Sequence, residues 1–232
     1  MQRGDGLDVM LAYGHGRSYG MESRLFGRSL PGILDCGLWD AIKEQPDAPT
    51  CGLITDIGND VMYGAEPELI ASWIQSCIDR LRDLKARPVI TALPMQRIRG
   101  LPRWQFAMVK SLLFPSHAIT YQQAMTRIEA LDELVRNLAQ HNDCPLVEPR
   151  REWYGIDPIH IRQGSMKQAW GEIISHWNPD HDPPDPPHPK GSLRRFLAIR
   201  TKMPQRWRLF GREMGSSQPC CRFGDSTTVA MY

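Results

Sequence analysis

Five short apolar runs, residues 7–13, 31–36, 50–57, 87–93 and 144–148, are each bounded by Gly, Pro, Asn or Asp. Each is short enough to be a buried strand. Between most of them lie segments with a different period. Residues 67–85 place Leu69, Ile70, Trp73, Ile74, Cys77, Ile78 and Leu81 on one helical face, and Pro67 suits the first turn. Residues 121–141 repeat the pattern with Ile128, Leu131, Leu134, Val135 and Leu138. Residues 164–177 do so with Met166, Ala169, Trp170, Ile173, Ile174 and Trp177. Strands alternating with helices predict a parallel sheet covered on both faces. Right-handed crossovers then give a three-layer α/β/α, doubly wound domain of about five parallel strands over residues 1–177. Ligands of such sheets sit beyond the carboxyl ends of the strands, which singles out loops 14–20, 57–64 and 149–163.

The remaining chain reads differently. Residues 178–190, NPDHDPPDPPHPK, predict an extended proline-rich linker. Residues 191–232 form a basic C-terminal extension, within which 191–212 carry seven Lys/Arg and no acid, interleaved with Phe196, Trp207 and Phe210. Such a tail can hold nucleic acid, but packing of its rings on the body is the favoured reading, so nucleic acid is not the expected partner. TTVAMY predicts one edge strand. LFGRSLPG (25–32) echoes LFGREMGS (209–216) without amounting to a repeat. The net charge of +2 names no partner. No run of about 18 apolar residues occurs, so no membrane span is expected. The N-terminus reads as a first strand rather than a signal peptide, and the six scattered cysteines, with no Cys-x-x-Cys pair, read as reduced core thiols. A cytoplasmic protein without metal is the expectation. No cofactor is expected either, since Gly14-x-Gly16-x-x-x-Gly20 misses the dinucleotide spacing by one residue.

Three groups of residues have the chemistry of a site. In GIDPIHIRQG, Asp157 and His160 form Asp-x-x-His. A histidine acting as base needs its second nitrogen held, and a carboxylate does this while stabilising the imidazolium. In CGLITDIGNDVMYG, a strand ends at Gly58-Asn59-Asp60. Asn59 there offers an amide to a developing oxyanion, and Asp60 braces the loop. The first strand runs into AYGHGRSYG, residues 12–20, with His15, Arg17 and Ser18 among three glycines.

The order of these blocks resembles the SGNH hydrolases, the GDSL esterase/lipase family, over residues 7–177. Gly-x-Asn-Asp of that family matches at Asn59 and Asp60, with Ile57 in place of its glycine, and Asp-x-x-His matches at Asp157 and His160. The resemblance implies a flavodoxin-like sheet and hydrolysis of a carboxylic ester, a small acyl or acetyl group on a small molecule or glycan. It makes His160 the base, Asp157 its partner, and Asn59, Gly37 and the Gly16 amide the oxyanion donors, with Gly32 the alternative to Gly37. In the family's first block, Gly-Asp-Ser, the serine position is held here by Gly16. Three readings follow. Ser18 takes over as nucleophile, or water activated by His160 and Asp157 attacks with His15 and Arg17 binding an anionic group, or the domain is an inactive binding module using the same cleft. The second Gly-Asp-Ser, ending at Ser226, lies after the histidine and reads as a turn.

Overall fold

The computed structural model describes residues 6–45, 47–114, 118–155, 160–177 and 192–232. Asp157 and the proline-rich linker lie outside them. In chain order the elements are β1 (Asp8–Leu11), β2 (Ser23–Leu25), β3 (Arg28–Leu30), α1 (Leu38–Lys43), β4 (Cys51–Ile54), α2 (Asn59–Met62), α3 (Pro67–Asp83), β5 (Arg87–Thr91), α4 (Met95–Ile98), α5 (Arg103–Leu113) and α6 (Tyr121–His141). They continue with β6 (Leu146–Val147), α7 (Met166–Ser175), α8 (Leu193–Arg200), β7 (Arg206–Leu209), β8 (Arg212–Gly215), β9 (Cys221–Arg222) and β10 (Thr228–Met231). The protein is mixed α/β and divides into two compact units, residues 1–48 with 192–232, and residues 49–191.

The second unit is the one the hydrophobic periodicity anticipates. Its strands β4, β5 and β6 form a parallel sheet in that order. Val89, Ile90 and Thr91 of the middle strand are all buried, as a strand covered on both faces requires. Helix α3 starts with Pro67 in its first turn and buries Ile70, Ile74, Cys77, Ile78 and Leu81 along one stripe. Helix α6 packs against it and begins at a capping box: the Thr120 hydroxyl accepts the Gln123 amide N–H, and the Gln123 side chain accepts the Thr120 N–H. Val89 and Val147 pack with Trp153, Ala169 and Ile173, which seats α7 on the sheet.

The first unit departs from the expectation of one five-stranded sheet. β1 pairs in parallel with β10, from Asp8↔Thr228 to Leu11↔Met231, and β10 pairs antiparallel with β9. The C-terminal TTVAMY is therefore the middle strand of its sheet, not an edge, and Val229, Ala230 and Met231 are all buried. The extension expected to trail the body joins the N-terminal strand in one unit. A second sheet of antiparallel strands has the order β2-β3-β7-β8. The apolar run 31–36 is a 3-10 turn over Ile33–Asp35 rather than a strand. Its N–H groups are taken by the loop after β1: Ile33 N donates to Ser18 O and Leu34 N to Tyr19 O, which removes groups a ladder would need. Among the described residues no helix is long and apolar enough to cross a membrane.

Candidate functional site

The loop after β1 is built for its own fold. Gly16 has φ +58°, the left-handed region that glycine enters without penalty. Arg17, expected to meet an anion in the cleft, is buried with 4% of its surface exposed. Its Nη1 donates to the carbonyls of Tyr13 (3.1 Å) and Tyr232 (2.9 Å). Burial lowers the guanidinium from its ordinary range. Ser18 has no exposed surface. Its Oγ accepts the Met21 amide N–H at 2.7 Å, which holds the turn that leads into β2. His15 and Tyr13 face solvent, with their rings 6.4 Å apart. Gly37 starts α1, and a Cβ placed there would lie 2.0 Å from Gln205 Oε1, so that side chain covers it. Gly16→Ser, which would restore the serine of the family pattern, is expected to cost about 1–2 kcal/mol in urea unfolding because serine must enter the left-handed region. An unchanged midpoint would show that the loop relaxes instead.

The second unit holds Asn59, Asp60 and His160, beyond the carboxyl ends of its parallel strands. Thr55 and Thr91, just beyond and at the ends of β4 and β5, are joined by a hydroxyl bond of 2.9 Å. Asp56 follows with φ +56°. Asn59, in the first turn of α2, donates through Nδ2 to the Asp56 carbonyl at 3.3 Å. Asp60, expected to brace the loop, is completely buried, and its carbonyl accepts the N–H groups of Tyr63 and Ala65.

His160 is delivered by a short ladder. Tyr154 and Ile161 form an antiparallel bridge, and Arg162 N donates to Trp153 O at 2.8 Å. Arg97, on α4 after β5, donates through Nε and Nη2 to the Gly155 carbonyl at 3.3 and 3.2 Å. Gly155 is thus tied to α4, which follows β5, and His160, next to the bridged Ile161, is exposed to solvent. Arg136 joins Asp132 of α6 (2.8 Å) to Glu148 after β6 (3.0 Å), which ties α6 to the end of β6.

Asp56 is the residue that sequence reasoning passed over. Packing around its carboxyl raises it from the ordinary carboxylate value, and the nearby His160 pulls in the opposite direction. Tyr154 is pushed up to about 12, first by burial and then by the charge of Asp56. Asp56, His160 and Tyr154 therefore form one electrostatic group, with Asn59 bonded to the main chain of Asp56. The signal available in sequence was Asp56 at a strand's carboxyl end. An aspartate there has many structural uses, and only the placement of Tyr154 and His160 shows what it faces.

Of the predicted residues, Asn59 and His160 converge on Asp56. His15, Gly16, Arg17, Ser18 and Gly37 belong to the first unit, as does Ser226, which lies exposed in the turn between β9 and β10. Among the described residues no group of three or more His, Cys, Asp or Glu side chains is placed to hold a metal ion. No protein-family model matches the chain, and no curated protein sequence matches it.

Proposed function

We propose that the protein hydrolyses carboxylic esters at the carboxyl end of the β4-β5-β6 sheet, with His160 as general base and water as the attacking group. The observation that carries this reading is the convergence of His160, Asn59 and Tyr154 on Asp56 beyond the strand ends, where ligands of parallel sheets bind. His160 takes a proton from water, and the resulting oxygen bonds to the ester carbonyl carbon. The carbonyl oxygen becomes an oxyanion, to which the Asn59 amide donates. Collapse of that intermediate breaks the bond to the alcohol, and His160 returns the proton to the leaving oxygen. A carboxylate stabilises the imidazolium meanwhile. Asp56 supplies that charge, and Asp157 is the partner that the resemblance to SGNH hydrolases adds. The substrate class is a small acyl or acetyl ester of a small molecule or glycan.

Water is preferred to Ser18 because Ser18 is wholly buried and its oxygen already accepts the Met21 N–H. The same observation, with Gly16 at the family's serine position, favours the second reading, a binding module that uses the cleft without turnover. Ester turnover by the wild type and by His160→Ala and Ser18→Ala separates the two. The expected result is turnover lost in His160→Ala, retained in Ser18→Ala, and no fluorophosphonate adduct at Ser18. An adduct at Ser18 would instead make it the nucleophile. Absence of turnover from a panel of acyl esters, with ligand binding intact, would establish the binding module.

A further inference from the structure

The Leu-Phe-Gly-Arg echo is a pair of matching hairpins. Phe26-Gly27 joins β2 to β3, and Phe210-Gly211 joins β7 to β8. All four tip residues have positive φ: +49° and +76° at the first tip, +48° and +81° at the second. These are two-residue turns of the left-handed kind that suit hairpins. Because β7 runs antiparallel to β3, both tips lie at the same end of the sheet. They are locked together there: Phe210 N donates to Gly27 O at 2.7 Å, and the Phe210 ring lies so close that a Cβ on Gly27 would meet it at 2.3 Å.

Phenylalanine is a costly choice at these positions. A bulky side chain in the left-handed region is strained, whereas Asn or Gly is not. Burial does not offset the strain, since Phe26 is 74% and Phe210 80% exposed. A strained residue that gains little within its own chain points to a partner outside it. Leu209 and Met214 beside the tips are also exposed.

Charge indicates the partner. The two hairpins carry Arg24, Arg28, Arg206, Arg208 and Arg212, against Glu22 and Glu213 alone. Both glutamates are engaged by Arg208, and Glu22 also by Arg24. Arg28, Arg206 and Arg212 have no carboxylate partner among the described residues. Helix α8 of the same unit repeats the combination. Its Ile199 packs on the core, and Arg195 pairs with Asp225, while Leu193, Phe196, Leu197, Arg194 and Arg200 face outward.

We propose that this unit docks on an anionic lipid surface, inserting Phe26 and Phe210 among the acyl chains while the surrounding arginines meet the headgroups. Phenyl rings and aliphatic neighbours, without a hydrogen-bonding tip, suit hydrocarbon. A single-stranded nucleic acid would be expected to use rings among the arginines, but neither cross-strand row, Arg24-Ser29-Arg208-Glu213 or Leu25-Arg28-Leu209-Arg212, contains one. A second copy would bring the same excess of positive charge. The proposal is independent of the hydrolase reading.

The test is co-sedimentation of the full chain with phosphatidylcholine vesicles, with and without about one-third phosphatidylserine. The expected result is binding to the anionic vesicles only, weakened by salt. Phe26→Asn and Phe210→Asn together should lower the partition coefficient at least about tenfold. Asn-Gly is the favoured pair for this turn, so circular dichroism and the melting temperature should show the hairpins intact. Phe196→Glu should weaken binding further. Absence of vesicle binding, or binding unchanged in the double variant, overturns the proposal. So does binding to a single-stranded oligonucleotide, or self-association, that is lost in the double variant while vesicles are ignored.

Discussion

Ester turnover should fall about 10²- to 10⁴-fold in kcat/KM when His160 is replaced by Ala, the range that a positioned general base contributes. Melting temperature should hardly move, because His160 is exposed and the ladder of Tyr154 with Ile161 does not use its side chain. Asp56→Asn separates activity from stability in a second way. It removes the charge facing His160 while keeping the shape, and the loss of turnover should be on the order of 10²-fold. Stability should change in the opposite sense. A carboxyl raised in the folded state holds its proton to higher pH than in the unfolded chain, so its stabilising contribution is lost as pH rises through the raised value. Asparagine does not titrate and tolerates the left-handed backbone at this position. Asp56→Asn should therefore be the more stable protein near neutral pH, by less than about 1 kcal/mol since solvent screens an exposed residue. That pH-dependent advantage should vanish below the ordinary aspartate pKa of about 3.9. Thermal melts across pH, run beside turnover assays, check both. Equal turnover in wild type and His160→Ala would remove His160 from the mechanism, and a destabilised Asp56→Asn would mean that the carboxylate supports the fold.

Val229→Asp should unfold the first unit. Val229 is 4% exposed in the middle strand of its sheet, between β1 and β9. A charge placed there without a partner costs about 4 kcal/mol or more, a large part of the 5–15 kcal/mol that holds a typical domain. Truncation after residue 191 should have the same consequence for residues 6–45, since it removes β10 from β1 and β7 from β3. Limited proteolysis read by mass spectrometry should find cuts throughout 6–45 in both proteins, whereas α3 and α6 remain protected. Protection of residues 6–45 in the truncated chain would show that the N-terminal segment folds without the tail.

Much of the second unit was legible in the chain. The stripe Ile70, Ile74, Cys77, Ile78, Leu81 and the all-apolar centre of β5 are local patterns, and each states its own secondary structure and buried face. Parallel pairing followed from the helices between those strands, because a parallel connection requires a crossover. The Thr120–Gln123 capping box was equally available and went unused. Asn59 and His160 were named from motif spacing, whereas Asp56 was not, because what it faces depends on a segment about a hundred residues later.

The first unit shows where such reading ends. TTVAMY announces a strand, but nothing in its six residues tells that it lies against Asp8–Leu11, 220 residues away in register. The two Phe-Gly hairpins escaped notice because Phe is the wrong residue for the turn it makes, so the usual Asn-Gly signal was missing. Likewise Ser18 looked like an available nucleophile in a glycine-rich loop until packing placed its oxygen on Met21. Sequence alone determined helices α3, α6 and α7, strands β4, β5 and β6 and the chemistry on offer, since these depend on period and residue type within a few turns. Tertiary structure alone decided which strands pair, which hydroxyl is buried and which carboxylate faces His160. Those outcomes depend on contacts between segments far apart in the chain, and one strand's composition fits many partners.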